Sequence, residues 1–274
     1  MRTNIGTDGH ASVAATDSAL GAHADLRETV TTAAPLVIGG SALLVRGRRN
    51  DPFARVAPVV PAWRLVLASP GPLTWRDTGR PEHAPTLLVP PEVPIQIEMD
   101  AEVAVLHLDA GWHGPQPVPA GSPAAPVPLF ALPRHLTEAL WNVVNGEELD
   151  QITGRLVADL TSSGALPERR ALDPRITEGL DIALEGGSIA EAATTVGLSR
   201  ARFSRLTSAQ LGGSPRRLRA WHRLCAALRL QDLDLASAAV TAGFTDQPHL
   251  TRTCVRLLGA SPGRLRAPRS PARG

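Results

Sequence analysis

The sequence contains no lysine and no tyrosine, and aromatic residues make up only 3% of its 274 residues. Because every basic residue except histidine is arginine, each permanent cationic contact must come from a planar guanidinium, which can bind phosphate or guanine through two parallel hydrogen bonds. Cysteine is nearly absent: Cys225 and Cys254 are the only two, and no Cys-x-x-Cys pair occurs. This excludes a disulfide framework and a cysteine-based zinc site, so we expect two buried free thiols in a reducing compartment.

Long apolar segments are also lacking. The longest apolar run, residues 34–45, is interrupted by Gly39 and Gly40 and is too short to cross a bilayer. The N-terminus carries Arg2 and soon Asp8, without the apolar stretch of a signal peptide. We therefore expect a soluble, cytoplasmic protein that has no membrane partner.

The residue patterns of catalysis and metal binding are missing as well. A metal-binding cupin needs a close His-x-His with a carboxylate and a distant third histidine, and His83, His107 and His113 do not have that spacing. The sequence has no Gly-x-Ser-x-Gly nucleophile motif and no phosphate-binding glycine loop. We predict that the chain binds no metal or cofactor and is not an enzyme.

The charge is unevenly distributed, although the formal net charge is only +2. Residues 1–173 carry 13 arginines against 19 acidic residues, a balance of −6, whereas residues 174–274 carry 15 arginines against 7 acidic residues, a balance of +8. A basic block attached to an acidic one indicates that the C-terminal part meets a polyanion, most commonly nucleic acid.

The N-terminal half alternates short apolar runs with proline and glycine. Residues 1–33 show no periodicity and predict a disordered tail. Beyond them, apolar runs of four to six residues bounded by turn residues predict a β sandwich or barrel; examples are Ala42–Val45, Trp63–Leu67, Thr86–Val89 and Val103–Leu106. Phe53, Trp63 and Trp75 lie in this region and could line a small-molecule pocket, although core packing is the more common role for each.

Two helical patterns follow the β region. The first has apolar residues at positions 136, 140, 143 and 144, and the second has them at 149, 152, 156 and 160, which are helical spacings. This pair of helices either covers the β core or forms a dimer surface, and the sequence favours neither role.

An internal duplication dominates the last hundred residues. Residues 189–199 align with residues 235–245 at an offset of 46, and five of the eleven pairs are identical. After one extra residue in the second copy, residues 204–215 align with residues 251–262 at an offset of 47. An alignment that is maintained across two segments indicates a repeated structural unit.

Each copy has the local signals of two helices joined by a tight turn. Small residues (Ala192 and Ala193, or Ala238 and Ala239) would let the first helix pack closely, and Gly197 or Gly243 would end it in the left-handed conformation. An apolar residue and a hydroxyl N-cap, Ser199 or Thr245, then start a second helix that runs to Gly212 or Gly259. This is a helix-turn-helix, whose second helix enters the major groove of DNA.

Pro215 opens a long amphipathic helix between the copies. Leu218, Trp221, Cys225 and Leu228 would form its buried stripe. A helix of about seventeen residues is roughly 25 Å long. Such a rod can hold two recognition helices about one DNA turn, near 34 Å, apart.

Residues 174–266 resemble the DNA-binding domain of the AraC/XylS transcription regulators. The match is strongest from Ala239 to Pro262, in Gly243-Phe244-Thr245-Asp246, Leu250-Thr251-Arg252-Thr253 and Gly259-x-Ser261-Pro262. The resemblance implies an N-terminal effector-binding or dimerising domain, often a cupin-like β barrel followed by helices. One departure is that Thr207 and Cys254 stand where both copies usually have phenylalanine, which suggests looser packing of each recognition helix.

The resemblance also implies the DNA contacts. The base-facing positions fall on Ala201, Ser204 and Arg205 in the first copy and on Gln247, Pro248, Thr251 and Arg252 in the second. We expect phosphate contacts at Ser199, Arg200, Arg202, Arg216, Arg217, Arg219 and Thr245. The alternative for Arg216, Arg217 and Arg219 is a solvated start of the long helix, and the alternative for Arg205 and Arg252 is a solvated surface position.

The sequence thus predicts an α+β chain with five segments: a tail (1–33), a β-rich effector-binding or dimerisation domain (34–163), a linker (164–173), a double helix-turn-helix domain (174–268) and a second tail (269–274). Its expected partners are double-stranded DNA, a small-molecule effector, RNA polymerase if the protein is an activator, and a second copy in a homodimer. The alternative is a cupin-type or DNA-repair enzyme fused to a helix-turn-helix; the repair enzyme needs N-terminal cysteines, and residues 1–173 contain none. An architectural DNA binder without an effector is a further alternative, which would leave the β region without a role.

Overall fold

A computed structural model describes residues 36–47, 56–57, 59–69, 71–76, 81–98, 102–108, 126–129, 132–166 and 171–266. In these residues strands come first and helices follow. The strands are β1 (Leu36–Ile38), β2 (Ala42–Gly47), β3 (Val56–Ala57), β4 (Trp63–Ser69), β5 (Leu73–Arg76), β6 (Glu82–Ala84), β7 (Thr86–Val89), β8 (Ile95–Glu98), β9 (Glu102–Leu108) and β10 (Val127–Leu129). The helices are α1 (Arg134–Asn142), α2 (Gly146–Ser162), α3 (Pro174–Leu184), α4 (Ile189–Thr195), α5 (Arg200–Leu211), α6 (Pro215–Arg229), α7 (Leu235–Thr241), α8 (Gln247–Leu258) and α9 (Pro262–Leu265).

The strands form two antiparallel sheets, which we call together the β domain. The larger sheet has the order β1-β2-β9-β4-β7-β10 and the smaller one β3-β8-β5-β6. All four apolar runs predicted as strands are strands of the larger sheet. Among the described strands, no pairing closes either sheet into a barrel. The prediction of a β-rich region is therefore confirmed, and its strands form two sheets.

Alternation along the strands divides the apolar residues of the larger sheet between two cores. On β4, Trp63 and Leu65 belong to a core shared with α1 and α2, whereas Val66 belongs to a second core shared with the smaller sheet. Successive side chains of a strand point to opposite faces, so a buried sheet needs apolar residues at nearly every position. This explains why the sequence shows continuous apolar runs here and not alternating ones.

The helices α1 and α2 cover the outer face of the larger sheet. Leu149, Leu156 and Leu160 of α2 are buried in the same core as the sheet residues, so this stripe packs inside the protein. Arg46 of β2 is buried and donates hydrogen bonds to the carbonyls of Leu140 (2.9 Å) and Val143 (2.6 Å), which satisfies the C-terminal end of α1.

One residue predicted on the apolar face of the first helix lies elsewhere. The helix α1 ends at Asn142, and the side chain of Val144 is 66% exposed in the connection to α2. Val144 precedes Asn145, whose side chain caps α2 by accepting from the Glu148 amide at 2.9 Å. The extended backbone of that cap places Val144 outside both helices.

The predicted tails, residues 1–33 and 269–274, lie outside the described residues. Part of the predicted linker is described, and Leu166 there is fully buried in the core shared by α1 and α2. The DNA-binding half then begins with α3 at Pro174, where Asp173 caps the helix by accepting from the Arg175 amide at 3.0 Å.

Candidate nucleic-acid interface

The first repeat, α4 and α5, forms a helix-turn-helix that we call the first unit. A capping box starts α4, in which Ser188 and Glu191 exchange hydrogen bonds of 2.7 and 3.1 Å. Gly197 has φ of 68°, a left-handed conformation that glycine adopts without steric cost. Ser199 then caps α5 by accepting from the Arg202 amide at 3.2 Å. The predicted order of helix, glycine turn and hydroxyl cap is confirmed here.

The second repeat, α7 and α8, is the second unit and differs at its turn. Gly243 has φ of 79° and Phe244 is buried, as predicted. The N-cap of α8 is Asp246, however, and not Thr245. The second copy has one extra residue at this point, and the Asp246 carboxylate accepts from the His249 amide at 2.7 Å. The carboxylate takes the capping role predicted for the threonine hydroxyl.

The helix α6 joins the two units as the sequence predicts. Its stripe of Leu218, Trp221, Cys225 and Leu228 is buried. Its fifteen residues give a rod of about 22 Å at 1.5 Å per residue. Cys225 and Cys254 are buried, and neither forms a disulfide. Burial raises the pKa of the Cys254 thiol to about 12, so this thiol is unreactive at neutral pH.

The predicted base-facing positions lie on the outer side of the two recognition helices, α5 and α8. In the first unit Ala201 and Arg205 are exposed and Ser204 is half-buried, while Phe203 and Thr207 face inward. In the second unit Gln247, Pro248 and Arg252 are exposed and Thr251 is half-buried.

Two further residues lie on the same outer faces. Ser208 and Val255 are exposed, one turn beyond Ser204 and Thr251. They occupy matching positions at the repeat offset of 47, and the side chain of Val255 is 47% exposed. Neither residue is among the predicted contacts, although the spacing of four residues indicates both.

Thr207 and Cys254 fill the positions where the resembled family has phenylalanine. Both are fully buried. Thr207 donates to the carbonyl of Phe203 at 2.8 Å, and Phe203 is also fully buried. A Cβ atom added to Gly179 of α3 would lie 2.6 Å from the Phe203 ring. An aromatic residue one turn earlier therefore anchors α5 against α3.

Three of the predicted phosphate contacts converge beside the first recognition helix. Arg200, Arg216 and Arg219 line a cavity of about 450 Å³ together with Ser204 and Ser214, and none of the residues lining it is acidic. Burial, and then the guanidiniums of Arg223 and Arg216, lower the pKa of Arg219. Arg219 also donates to the Gly187 carbonyl at 3.1 Å. The lining of this cavity is therefore cationic, and such a charge attracts anions.

The two units differ in the arginines that lie beside their recognition helices. At the repeat offset of 47, Gly263 corresponds to Arg216, and Arg266 corresponds to Arg219. Arg266 is directed inward and donates to the carbonyls of Leu233 (2.7 Å) and Ala227 (3.0 Å). The second unit therefore does not repeat the arginine cluster of the first.

Arg217 is directed away from the other predicted phosphate contacts. Its guanidinium donates to the Val59 carbonyl at 2.5 Å and forms an ion pair of 2.8 Å with Glu92, both in the β domain. The two remaining polar candidates, Ser199 and Thr245, and the exposed Arg202 lie at or near the starts of the recognition helices.

The predicted effector-pocket residues are not brought together. Phe53 lies outside the described residues. Trp63 is buried in the core that faces α1 and α2, whereas Trp75 is buried in the second core, on the smaller sheet. The larger sheet lies between these two cores, so the two indoles do not line one pocket.

Among the residues that the structure describes, no helix combines the length and the apolar character needed to cross a membrane. In the same residues, no three side chains of histidine, cysteine, aspartate or glutamate are grouped so that they could hold a metal ion.

Two helix-turn-helix units joined by a helix are the architecture of a DNA-binding transcription regulator. Residues 192–268 match a family model described as a helix-turn-helix domain. This part of the chain is an AraC-type helix-turn-helix domain.

Solved structures similar to most of the chain share its fold at low sequence identity. An apo form of ToxT from Vibrio cholerae that carries a single substitution superimposes with a TM-score of 0.56 at 10% identity, covering 83% of this chain and 97% of that one. Wild-type ToxT from the same organism with a bound unsaturated fatty acid gives a TM-score of 0.53 at 10% identity, covering 82% and 94%. Comparison with curated protein sequences finds no match.

Proposed function

We propose that the protein is a sequence-specific regulator whose recognition helices α5 and α8 enter successive major grooves on one face of the DNA. The observation that carries this proposal is the exposed face of Ala201, Ser204 and Arg205 directly beside the arginine-lined cavity. Side chains on such a face can read base edges while the neighbouring arginines bind the phosphates that flank them. The rod of α6 sets the distance between the two helices.

The experiment that tests this function is the selection of binding sites from a random DNA pool by the full chain, followed by the same selection with Arg205→Ala. Arginine is the usual partner of guanine in the major groove, and a bidentate pair contributes about 1–3 kcal/mol of discrimination. We expect Arg205→Ala to bind the selected site about 5- to 150-fold more weakly and to relax the preference at one or two base pairs.

Arg216→Ala is the matched control, because it removes the same charge from the phosphate cavity. It should weaken binding to all sequences alike and make the salt slope shallower by about 0.9. The assignment of Arg205 to a base edge fails if Arg205→Ala also weakens selected and unrelated DNA equally.

We further propose that the first unit supplies most of the sequence readout. Pro248 in the second unit has no donor for a base, and the second unit lacks the counterpart of Arg216. Scrambling the half-site under the first unit should therefore weaken binding more than scrambling the half-site under the second. Footprinting orients the protein on its site, and competition with each scrambled duplex measures the two losses. A larger loss from the second half-site would reverse this ranking.

The β domain is our proposed site of modulation, by a small molecule or by dimerisation, and we propose that it is a cupin-like module. A cavity of about 380 Å³ between the larger sheet and α1 supports the first possibility. Its walls include Leu67, Leu132 and Trp141 together with the hydroxyls of Ser69 and Thr137. Its volume and its mixture of apolar walls with a few polar groups suit a small, mainly apolar effector. Two ToxT structures of the same fold hold an unsaturated fatty acid and a naphthalenyl-butenoic acid.

A further inference from the structure

The β domain contacts the start of α6, the helix that joins the two units. Arg217 in the first turn of α6 donates to the Val59 carbonyl at 2.5 Å and forms an ion pair of 2.8 Å with Glu92. At the other end of the helix, Arg229 donates to the Gly39 carbonyl at 2.8 Å. The β domain therefore holds both ends of the rod that positions the recognition helices.

Glu92 is held in a backbone conformation that disfavours its residue type. It is the only residue other than glycine with a positive φ in the described chain, at 62°. The turn around it is closed by hydrogen bonds from Glu92 to the Val60 carbonyl (2.9 Å) and from Val93 to the Pro90 carbonyl (3.5 Å). Side chains with a Cβ are strained in this region, and such strain is typical of functional positions.

The carboxylate of Glu92 lies between arginines of both halves of the protein. Burial raises its pKa, and the nearby guanidiniums of Arg217 and Arg64 lower it. Arg64 is itself buried and donates to the neighbouring Val93 carbonyl at 2.5 Å. The strained turn thus presents a partly desolvated anion to Arg217 of the DNA-binding half.

The duplication provides an internal comparison for this contact. Gly213, just before α6, would carry a Cβ only 2.6 Å from the Cβ of Pro61 in the β domain. The second unit has Ala260 at the same position, and this alanine is buried. Gly213 has no left-handed φ. The helix-turn-helix itself therefore accepts alanine here, and the need for glycine comes from the close approach of the β domain.

The same comparison applies to Arg217. Its counterpart at the offset of 47 is Arg264, which is exposed in the first turn after Pro262, as Arg217 follows Pro215. Because the two arginines occupy matching positions beside the recognition helices, they are equivalent candidates for contact with a DNA phosphate. In the first unit this arginine is held by Glu92 and Val59 of the β domain.

We propose that the Glu92 turn is an autoinhibitory contact that withholds Arg217 from the DNA backbone. Docking of the β domain on α6 and full phosphate binding by the first unit then exclude each other. This inference rests on the proposed function, because it requires that the first unit binds DNA.

Glu92→Gln in the full chain tests the contact, with a mixed-sequence duplex of about 30 base pairs as the probe. The variant removes the charge and retains the size of the side chain. Releasing one arginine to a phosphate should tighten binding about fivefold at 0.1 M NaCl and steepen the log–log salt slope by about 0.9. The gain should vanish in an Arg217→Ala background. Glu82→Gln, which removes the same charge from an exposed strand of the β domain, should leave both values unchanged.

Gly213→Ala is the second variant, because it opens the same interface by steric contact and changes no charge. It should tighten binding in the same direction, and again only when Arg217 is present. The melting temperature of each variant shows that it is folded.

The proposal is overturned if both variants bind with the affinity and slope of the unaltered chain, or if the gain persists without Arg217. If the unaltered chain does not bind the duplex at all, the proposed function fails as well. Binding by the unaltered chain without a gain in the variants refutes the contact alone.

Discussion

Raising the NaCl concentration from 50 to 200 mM is expected to weaken DNA binding by the full chain about a thousandfold. Arg200, Arg202, Arg216 and Arg219 surround or flank the first recognition helix, and the second unit adds the exposed Arg256 and Arg264. About six phosphate contacts give a log–log slope of about −5, because each contact releases condensed counterions from the duplex. Fluorescence anisotropy with a labelled site across this range measures the slope.

The slope also distinguishes ionic contacts from other sources of affinity. Combining Arg216→Ala with Arg219→Ala should make it shallower by about 1.8, because both arginines line the phosphate cavity. Arg134→Ala, which removes an exposed arginine of α1 in the other half of the protein, is the control and should not change it. A slope near zero for the unaltered chain would contradict the interpretation of the basic C-terminal half as a polyanion-binding surface.

The DNA-binding half was largely predictable because its determinants are local. A helix end is specified by a few adjacent residues: Gly197 and Gly243 adopt left-handed conformations, and Ser199 caps the helix that follows it. The repeat shows each signal in a second copy, which supports its interpretation. The N-cap at Thr245 was still predicted wrongly, because the sequence does not reveal which of two adjacent acceptors will cap a helix.

The β domain was predictable only in outline. Apolar runs identify strands, but strand order and the division into two sheets depend on contacts between residues far apart in the sequence, such as the pairing of Trp63 with Leu108. The two cores of the larger sheet could not be separated for the same reason. Trp63 and Trp75 look equivalent in sequence, yet they lie on opposite sides of that sheet.

The role of Arg217 was the least accessible from the sequence. It lies in a run with Arg216 and Arg219, and composition alone gives all three the same expected contact with phosphate. The direction of each side chain follows from its angular position on α6, and only Arg217 faces Glu92 and Val59. A basic surface can be inferred from charge counts, but the sharing of its arginines between DNA and a neighbouring domain requires the tertiary structure.

Acidification is expected to destabilise the protein through His107. This residue of β9 is buried beside Trp221 of α6, with ring centroids 5.3 Å apart. Burial, and then the neighbouring Arg64, lower the pKa of His107 to about 3 from an ordinary value near 6.5. The folded protein therefore keeps the imidazole neutral while the unfolded chain takes up a proton as the pH falls. The stability is fully present above pH 6.5 and is lost progressively as the pH falls towards 3.

The expected loss is about 1.4 kcal/mol per pH unit well below pH 6.5, and therefore about 3 kcal/mol at pH 4.5. His107→Phe removes the titrating group and keeps a ring against Trp221. The difference in free energy of unfolding between wild type and this variant, measured in urea at pH 7.5 and at pH 4.5, isolates the contribution, because the other titrating groups cancel. His135→Asn, at an exposed position of α1, is the control for the loss of a histidine. If wild type and His107→Phe lost the same stability on acidification, His107 would not be the buried neutral histidine that joins the β domain to α6.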